Sequence, residues 1–294
     1  MMKDAAKEIS VPLTYIINLS LKSGLVPEDW KIAKVTPLHK GGTKEDYNNF
    51  RPISVLPILS KILERAVHQQ LIAYLEENRF LSSFQFGYRK GRSTELATIL
   101  LTDNIRKAVE EGNLVGVLFI DLSKAFDTLS HSIMLEKLKS FGILNNEHDW
   151  LNSYLFNRKQ FCEVGNCKCE LMNISCGVPQ GSILGPLLFL LYFNDFERCL
   201  RHSNVINFAD DTVVYIKGKE KQTIEKLLNE DIEYISNYFY KNQLIINLKK
   251  GKTESMIFGT NQRLKKILKR TRIILQLYKN QINRNIQISW YLSR

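Results

Sequence analysis

The sequence lacks a recognisable disulfide or zinc framework of cysteines. There are five in 294 residues, an odd number. Four of them follow the spacing C-x4-C-x-C-x6-C, at Cys162, Cys167, Cys169 and Cys176. Structural zinc sites typically use paired CxxC spacing, so zinc is the minor alternative to free thiols. We therefore expect reduced cysteines inside a cell.

Long apolar runs are also absent. The best candidate, residues 187–193, is followed by Asn194 and Asp195, whereas a membrane-spanning helix needs roughly 20 apolar residues. Residues 1–8 contain two lysines and two acids and lack the apolar core of a signal peptide. We expect neither a membrane span nor secretion.

Acidic residues are missing from residues 261–294, the basic tail. This tail holds nine of the 41 Lys and Arg and none of the 30 acids, which leaves 32 basic and 30 acidic groups in the first 260 residues. The formal net charge of +11 therefore lies mainly in the tail. Its first part contains Arg263, Lys265, Lys266, Lys269, Arg270 and Arg272. Such a segment predicts salt-dependent contacts with a phosphate backbone, and a solvated or disordered terminus is the alternative.

Apolar residues are plentiful enough for a sizeable core. At 44% hydrophobic over 294 residues, the chain is expected to form two subdomains and a tail. Helical spacing and start signals predict helices over residues 1–24, 56–80 and 93–111, and residues 30–40 are typical of an extended strand.

Two adjacent aspartates lie between two apolar runs. The sequence FADD at 208–211 follows Val205 and Ile206 and precedes residues 213–216, which predicts a tight β-hairpin with Asp210 and Asp211 at its tip. Adjacent ionised carboxylates repel each other unless they share a multivalent cation, and their oxygens suit Mg²⁺ or Mn²⁺. Taken alone, the pair is also compatible with a solvated turn.

A third aspartate supports the metal interpretation. Residues 114–120 form a continuous apolar run, typical of a strand buried on both faces, and the run ends in Asp121. If this strand lies beside the hairpin, three carboxylates meet at one sheet edge. Three acids around two cations roughly 3.5 to 4 Å apart are the arrangement used for in-line phosphoryl transfer. The pattern therefore predicts Asp121, Asp210 and Asp211 as catalytic residues and as ligands of two Mg²⁺ or Mn²⁺ ions.

Five motifs occur in a fixed order along the chain. They are NFRPIS at 49–54, QFGYR at 85–89, FIDLSKAFD at 119–127, GVPQGSILGPLLF at 177–189 and FADD at 208–211. Over residues 25–260, their order and spacing resemble the reverse transcriptases of non-LTR (LINE-type) retrotransposons. Group II intron enzymes share the acids but usually lack the LSKAFD continuation. The resemblance implies an RNA-directed DNA polymerase, a nucleotidyltransferase that acts in retrotransposition.

The resemblance also implies a fold. The fold class is α/β (α+β). The chain would form the fingers and palm of a right-hand polymerase, and the palm would be a ferredoxin-like antiparallel sheet backed by helices. The implied domains are an N-terminal helix at 1–24, fingers at 25–112, a palm at 113–260 with fingers–palm elements within 140–180, and the basic tail. The tail ends near Trp290, Tyr291 and Leu292, similar to the start of the primer grip. We expect that grip to be truncated and the thumb to be absent or truncated.

Substrate-binding residues follow from their positions in the family motifs. Lys40 and Arg51 match the residues of the fingers that hold the nucleotide triphosphate, and ordinary surface charge is the alternative. Phe126 matches the ring beneath the nucleotide sugar that excludes a 2′-hydroxyl, with a plain core ring as the alternative. Gln180 and Gly181 match the turn that contacts the nucleotide and the templating base pair, with a structural turn as the alternative.

Two further residues receive weaker assignments. Lys252, in the segment NLKKGKTE at 247–254, resembles the family lysine near the leaving pyrophosphate, where it donates a proton or contributes charge. Asp127 is expected to cap the following helix or to brace the fold rather than to catalyse.

The implied partners are an RNA template, a DNA primer and dNTPs, without a membrane, and the implied location is intracellular, in the nucleus and cytoplasm. Two other functions stay open. One is a truncated element product that binds nucleic acid but does not polymerise. The other is a polymerase of a different family that copies another template, which the SKAFD sequence at 123–127 disfavours.

Overall fold

A computed structural model describes residues 6–165, 167–249, 251–267, 273–275, 286–288 and 290–292, with side chains as far as residue 265. The chain forms two compact units. The first unit comprises Met1–Phe80 and Phe126–Tyr192, and the second comprises Leu81–Ala125 and Phe193–Arg294. Within the described ranges, no helix combines the length and the apolar character that crossing a membrane requires.

The elements follow one another in mixed order. The helices are α1 (Ala6–Ser23), α2 (Ile58–Glu77), α3 (Thr94–Glu110), α4 (Ala125–Thr128), α5 (His131–Ser140), α6 (Asn145–Leu155), α7 (Leu184–Phe193), α8 (Lys221–Lys241) and α9 (Asn261–Ile267). The strands are β1 (Ile32–His39), β2 (Phe50–Val55), β3 (Leu114–Ile120), β4 (Lys159–Val164), β5 (Cys167–Lys168), β6 (Met172–Asn173), β7 (Asn204–Phe208), β8 (Asp211–Gly218), β9 (Glu254–Phe258), β10 (Ile273–Leu275), β11 (Ile286–Ile288) and β12 (Trp290–Leu292). Short 3-10 turns lie at Glu28–Lys31, Tyr47–Asn49 and Phe196–Cys199.

The first unit combines a small sheet with several helices. The strand order is β2-β1-β4-β5, and β6 also pairs with β4. Strand β1 is antiparallel to β2 and parallel to β4. Helix α2 begins directly after Pro57, where the missing proline N–H leaves no hydrogen bond unmade. Its apolar residues Leu63 and Leu75 are fully buried, as the helical spacing predicts.

The second unit is built on the sheet β12-β9-β3-β8-β7. Strand β3 lies between β8 and β9 and is antiparallel to both, while α3 and α8 pack against the sheet. Six of the seven β3 residues are buried, because the strand has a neighbour on each side and helices cover the sheet. Strands β9, β3, β8 and β7 thus form the antiparallel sheet backed by helices that the resemblance implies.

The two units divide the chain differently from the predicted fingers and palm. Residues 81–112, predicted as fingers, lie in the second unit, because Phe86 and Ala97 are buried against Ile206. Residues 126–192, predicted mostly as palm, lie in the first unit, where β4 pairs with β1. The names of the domains stay predictions from sequence.

The basic tail lies mostly outside the described residues. Of the six basic residues named in its first part, the structure describes the side chains of Arg263 and Lys265 only. Arg263 donates a hydrogen bond to the carbonyl of Gly112. Residues 290–292 form β12, which is parallel to β9, but their side chains lie outside the described part. The predicted phosphate contacts and primer grip therefore stay predictions.

Candidate active site

The hairpin of β7 and β8 carries Asp210 and Asp211. Phe208 pairs with Asp211, so Ala209 and Asp210 form the two-residue turn. Ala209 has a positive φ of 57°, a conformation that costs a residue with a side chain roughly 1–2 kcal/mol. The predicted hairpin is therefore present, with an alanine in a strained conformation beside the two acids.

Asp121 follows β3, the strand next to β8. Ile120 is opposite Thr212 in the strand register, which brings Asp121 to the level of Asp211. Both aspartates line a cavity of about 280 Å³, together with Gly251 and Lys252. The sequence expectation that β3 lies beside the hairpin is correct, and it brings these two carboxylates together.

The pKa of Asp211 is raised. Loss of hydration is the main cause and the negative charge of Asp121 adds to it, whereas the positive charge of Lys252 lowers it. A divalent cation between the two carboxylates would offset their repulsion, and carboxylate oxygens are the ligands that Mg²⁺ and Mn²⁺ prefer. The donor set of this cavity therefore fits a hard divalent cation.

Asp121 is held by residues of the loop that precedes β9. The Asn247 side-chain amide donates a hydrogen bond of 2.6 Å to Oδ2 of Asp121, and Lys252 Nζ lies 3.7 Å from the same oxygen. The Asp121 backbone N–H donates to Oγ1 of Thr253 at 3.3 Å. Sequence reasoning found Lys252 but missed Asn247, which opens the same NLKKGKTE segment.

Asp210 has a different environment. Its charge contributes to the raised pKa of Tyr88, for which loss of hydration is the main cause. Among the described residues, no three His, Cys, Asp or Glu side chains are grouped closely enough to hold a metal ion. The structure thus brings together Asp121 and Asp211 but not all three predicted ligands.

Lys40 and Arg51 lie at the same end of the β1–β2 ladder in the first unit. Arg51 is opposite Leu38, and the Lys40 backbone N–H donates to the Asn49 carbonyl at 2.8 Å. Both side chains are exposed. Two cations are therefore presented to solvent at one end of this hairpin.

Phe126 is half-buried and stacks on Phe189. Their ring centroids are 4.9 Å apart and the planes are inclined by 29°. Phe189 is fully buried, so one face of Phe126 is fixed by packing while the ring keeps some exposure.

Gln180 and Gly181 form a turn that is joined to β2. The Ser54 backbone N–H donates to the Gln180 carbonyl at 2.7 Å, and a Cβ on Gly181 would lie 2.6 Å from the Ser54 carbonyl oxygen. The Gln180 side chain donates to Oδ1 of Asp127 at 2.7 Å. The close approach that requires glycine is thus to Ser54, and Asp127 braces the turn.

Glu64 is a buried residue of this region that sequence reasoning missed. It accepts hydrogen bonds from the backbone N–H groups of Ile183 and Leu184, at 2.5 and 3.3 Å, and so caps the start of α7. Burial raises its pKa, and these hydrogen bonds and the charge of Arg158 reduce the effect. The available signal was an acid on the otherwise apolar face of the helix predicted at 56–80.

The chain has relatives among polymerases of transposable elements. It is 35% identical over 190 residues to a probable RNA-directed DNA polymerase from transposon BS of Drosophila melanogaster, covering 62% of this chain and 20% of that protein. It is 29% identical over 246 residues to the RNA-directed DNA polymerase from mobile element jockey of the same species, covering 81% and 27%. The chain therefore spans about a fifth to a quarter of the length of these relatives.

Solved structures of telomerase have a similar fold. Apo telomerase from Candida tropicalis, truncated from its C-terminal domain, aligns with a TM-score of 0.58 and 16% identity over 81% of this chain and 52% of that chain. Telomerase of the same species with a fragment of telomeric RNA aligns with a TM-score of 0.57 and 15% identity, over 81% and 42%. This likeness concerns the fold alone, and it confirms the predicted fold class.

The family match itself extends over residues 39–282. It includes all five motifs and both carboxylates of the cavity. The resemblance to reverse transcriptases of LINE-type retrotransposons is thereby confirmed, and the chain belongs to the reverse transcriptase (RNA-dependent DNA polymerase) family.

Proposed function

We propose that the chain is the catalytic core of an RNA-directed DNA polymerase. It transfers nucleotides from dNTPs to a primer 3′-hydroxyl on an RNA template, in retrotransposition. The observation that carries the proposal is the pairing of Asp121 and Asp211 in one cavity beside Lys252. Paired carboxylates with a nearby cation suit phosphoryl transfer, because catalysis of that reaction consists mainly of positioning and charge stabilisation.

The family depends on divalent metal ions. We assign two Mg²⁺ or Mn²⁺ ions to Asp121, Asp210 and Asp211. Asp121 and Asp211 are supported by their shared cavity, and Asp210 is assigned from the FADD motif. Bound ions of this kind activate the attacking hydroxyl and neutralise the leaving pyrophosphate.

The neighbouring side chains orient the carboxylates and add positive charge. Asn247 fixes the direction of the Asp121 carboxylate through its 2.6 Å hydrogen bond. Lys252 lowers the pKa of Asp211 and so favours the ionised form that binds a cation. Its ammonium group also supplies charge, or a proton, to the leaving pyrophosphate.

The first unit supplies the proposed nucleotide-binding residues. The exposed cations Lys40 and Arg51 bind the triphosphate through charge-assisted hydrogen bonds, which are stronger than hydrogen bonds between neutral groups. Phe126 lies under the sugar and excludes a 2′-hydroxyl, with its ring direction fixed by stacking. The Gln180 amide, held by its hydrogen bond to a carboxylate, contacts the nucleotide, and Gly181 allows the backbone to approach the base pair.

The proposed partners are an RNA template, a DNA primer and dNTPs. One of the solved structures with this fold is a telomerase in complex with a fragment of telomeric RNA, which supports a nucleic-acid partner. We also propose that the chain acts inside the cell, in the nucleus and cytoplasm, where its RNA and dNTP substrates occur.

Extension of a DNA primer on an RNA template, with Mg²⁺ and dNTPs, tests the function. The parent chain should extend the primer, and Asp121→Asn should not, although it should bind the primer–template as well as the parent does. Asp103→Asn, at a surface aspartate of α3 that pairs with Arg106 and Lys107, is the control and should extend normally. A parent chain that binds the primer–template but adds no nucleotide would support the non-polymerising alternative.

A further inference from the structure

A buried glutamine is bonded to both backbone groups of the strained alanine in the FADD turn. Oε1 of Gln85 accepts a hydrogen bond from the Ala209 N–H at 3.0 Å, and Nε2 donates to the Ala209 carbonyl at 3.3 Å. The same Oε1 accepts from the Gly87 N–H at 2.8 Å. Gln85 is only 4% exposed. Its amide is therefore dedicated to Ala209 and to its own segment.

The backbone around Gln85 runs alongside β7. The Phe86 N–H donates to the Asn207 carbonyl at 2.8 Å, and the Asn207 N–H donates to the Phe84 carbonyl at 2.9 Å. These bonds make residues 84–87 a short parallel neighbour of the strand that leads into the FADD turn. These backbone hydrogen bonds therefore hold the Gln85 side chain beside the turn.

Gly87 allows the two segments to approach each other. A Cβ at this position would lie 2.3 Å from the Ala209 nitrogen and 2.9 Å from its Cα, closer than real Cβ contacts. The segment 85–87 therefore touches the turn through a bare backbone at Gly87 and through the amide of Gln85.

We propose that Gln85 is a positioning residue for the divalent-cation site. It holds Ala209 in its left-handed conformation, and so fixes the directions from which Asp210 and Asp211 present their carboxylates. A non-glycine residue persists at a positive φ only when its surroundings hold it there, and the two Gln85 hydrogen bonds are such a restraint. This inference rests on the proposed function, because it assigns Gln85 to the cation site of that reaction.

Cation binding is the first readout, since it does not require polymerisation. Mn²⁺ affinity of the folded chain, measured by electron paramagnetic resonance, should fall in Gln85→Met. This change keeps the side-chain volume and removes the three hydrogen bonds of the Gln85 amide, two to Ala209 and one to Gly87. Loss of the two neutral hydrogen bonds to Ala209 predicts a weakening of about tenfold or more. Gln222→Met, at an exposed glutamine of α8 in the same unit, should bind Mn²⁺ as the parent does. A folded Gln85→Met chain with the parent's Mn²⁺ affinity would overturn the proposal.

A rescue experiment separates positioning from a plain structural role. Glycine adopts a positive φ freely, so Ala209→Gly should recover much of the Mn²⁺ affinity when added to Gln85→Met. A merely structural defect would not be corrected by this change. The double variant also serves if Gln85→Met alone folds poorly. A folded double variant that still does not bind Mn²⁺ would contradict the positioning role.

Primer extension then separates this inference from the proposed function. If the parent extends primers, kcat of Gln85→Met should fall about tenfold or more and the Mg²⁺ concentration for half-maximal rate should rise. If the parent binds Mn²⁺ but never extends, the proposed function fails while the Mn²⁺ results still decide the role of Gln85.

Discussion

The side-chain amide of Asn247 donates a hydrogen bond of 2.6 Å to Oδ2 of Asp121. The backbone N–H of Asn247 also donates to the Asp121 carbonyl, at 2.8 Å. One residue of the loop before β9 thus fixes both the end of β3 and the carboxylate that follows it.

Asn247→Ala should therefore slow nucleotide addition without unfolding the chain. The Asp121 carboxylate loses a charge-assisted hydrogen bond, typically about 1.5–3 kcal/mol, so we expect kcat to fall roughly tenfold to a hundredfold. Steady-state primer extension measures this effect. Asn104→Ala removes a comparable side-chain hydrogen bond, to the Tyr215 hydroxyl, and should leave kcat near the parent value. Equal rates for the parent and Asn247→Ala would show that Asn247 does not orient Asp121.

Asp211→Asn should make the folded chain more stable while it removes activity. The folded-state pKa of Asp211 is raised, so the charged carboxylate is disfavoured in the fold, and stability is lost as the pH rises through that pKa. Asparagine does not ionise. With a chelator present to remove divalent cations, at neutral pH, we expect a higher midpoint of thermal unfolding for Asp211→Asn than for the parent.

The pH dependence provides the control for this prediction. Below the ordinary aspartate pKa of 3.8, Asp211 of the parent is protonated in both the folded and the unfolded chain. The difference between the unfolding midpoints of the parent and Asp211→Asn should then vanish. A lower midpoint for Asp211→Asn at neutral pH would mean that the charge of Asp211 stabilises the fold.

Phe126→Val should increase the use of ribonucleotides. A smaller side chain leaves space for a 2′-hydroxyl if Phe126 lies beneath the sugar. The ratio of kcat/KM for dNTPs to that for rNTPs, measured in primer extension, should fall at least about tenfold, or about 1.4 kcal/mol. Phe156→Val is a matched control, because Phe156 also packs against another ring of the first unit, that of His131. Unchanged selectivity in Phe126→Val would exclude the assignment.

Gly181→Ala should destabilise the first unit. The backbone at Gly181 has a φ of +121°, and the new Cβ would lie 2.6 Å from the Ser54 carbonyl oxygen. We expect a loss of about 1–3 kcal/mol in the free energy of unfolding, measured by denaturant titration. Gly91→Ala is the comparison, because Gly91 also has a positive φ, +74°, but no atom lies within 4 Å of its Cβ position. Equal losses in the two variants would mean that φ alone, and not contact with Ser54, requires glycine at 181.

The pairing of Asp121 with Asp211 could be predicted because local patterns determine it. An apolar run that stops at an acid indicates a buried strand with a carboxylate at its end. A hairpin with two acids at its tip is recognisable in the same way. Only the adjacency of the two elements had to be assumed, and β3 and β8 are indeed paired.

The residues that hold these acids could not be predicted. Gln85 is 124 positions from Ala209, and Asn247 is 126 positions from Asp121. A single amide has no periodicity, and its partner is set by tertiary structure rather than by its neighbours in sequence. For Gly181, the approach to the templating base pair stays a prediction, and the close neighbour that the structure shows is the Ser54 carbonyl oxygen.

The most direct test of the central claim is single-nucleotide incorporation by Asp121→Asn, Asp211→Asn and the double variant, on one primer–template with saturating Mg²⁺ and dNTP. If the two carboxylates act as one unit, each single change should remove nearly all activity, and the double variant should be no slower than either. Substantial incorporation by either single variant, or losses that multiply in the double variant, would contradict a shared role for Asp121 and Asp211.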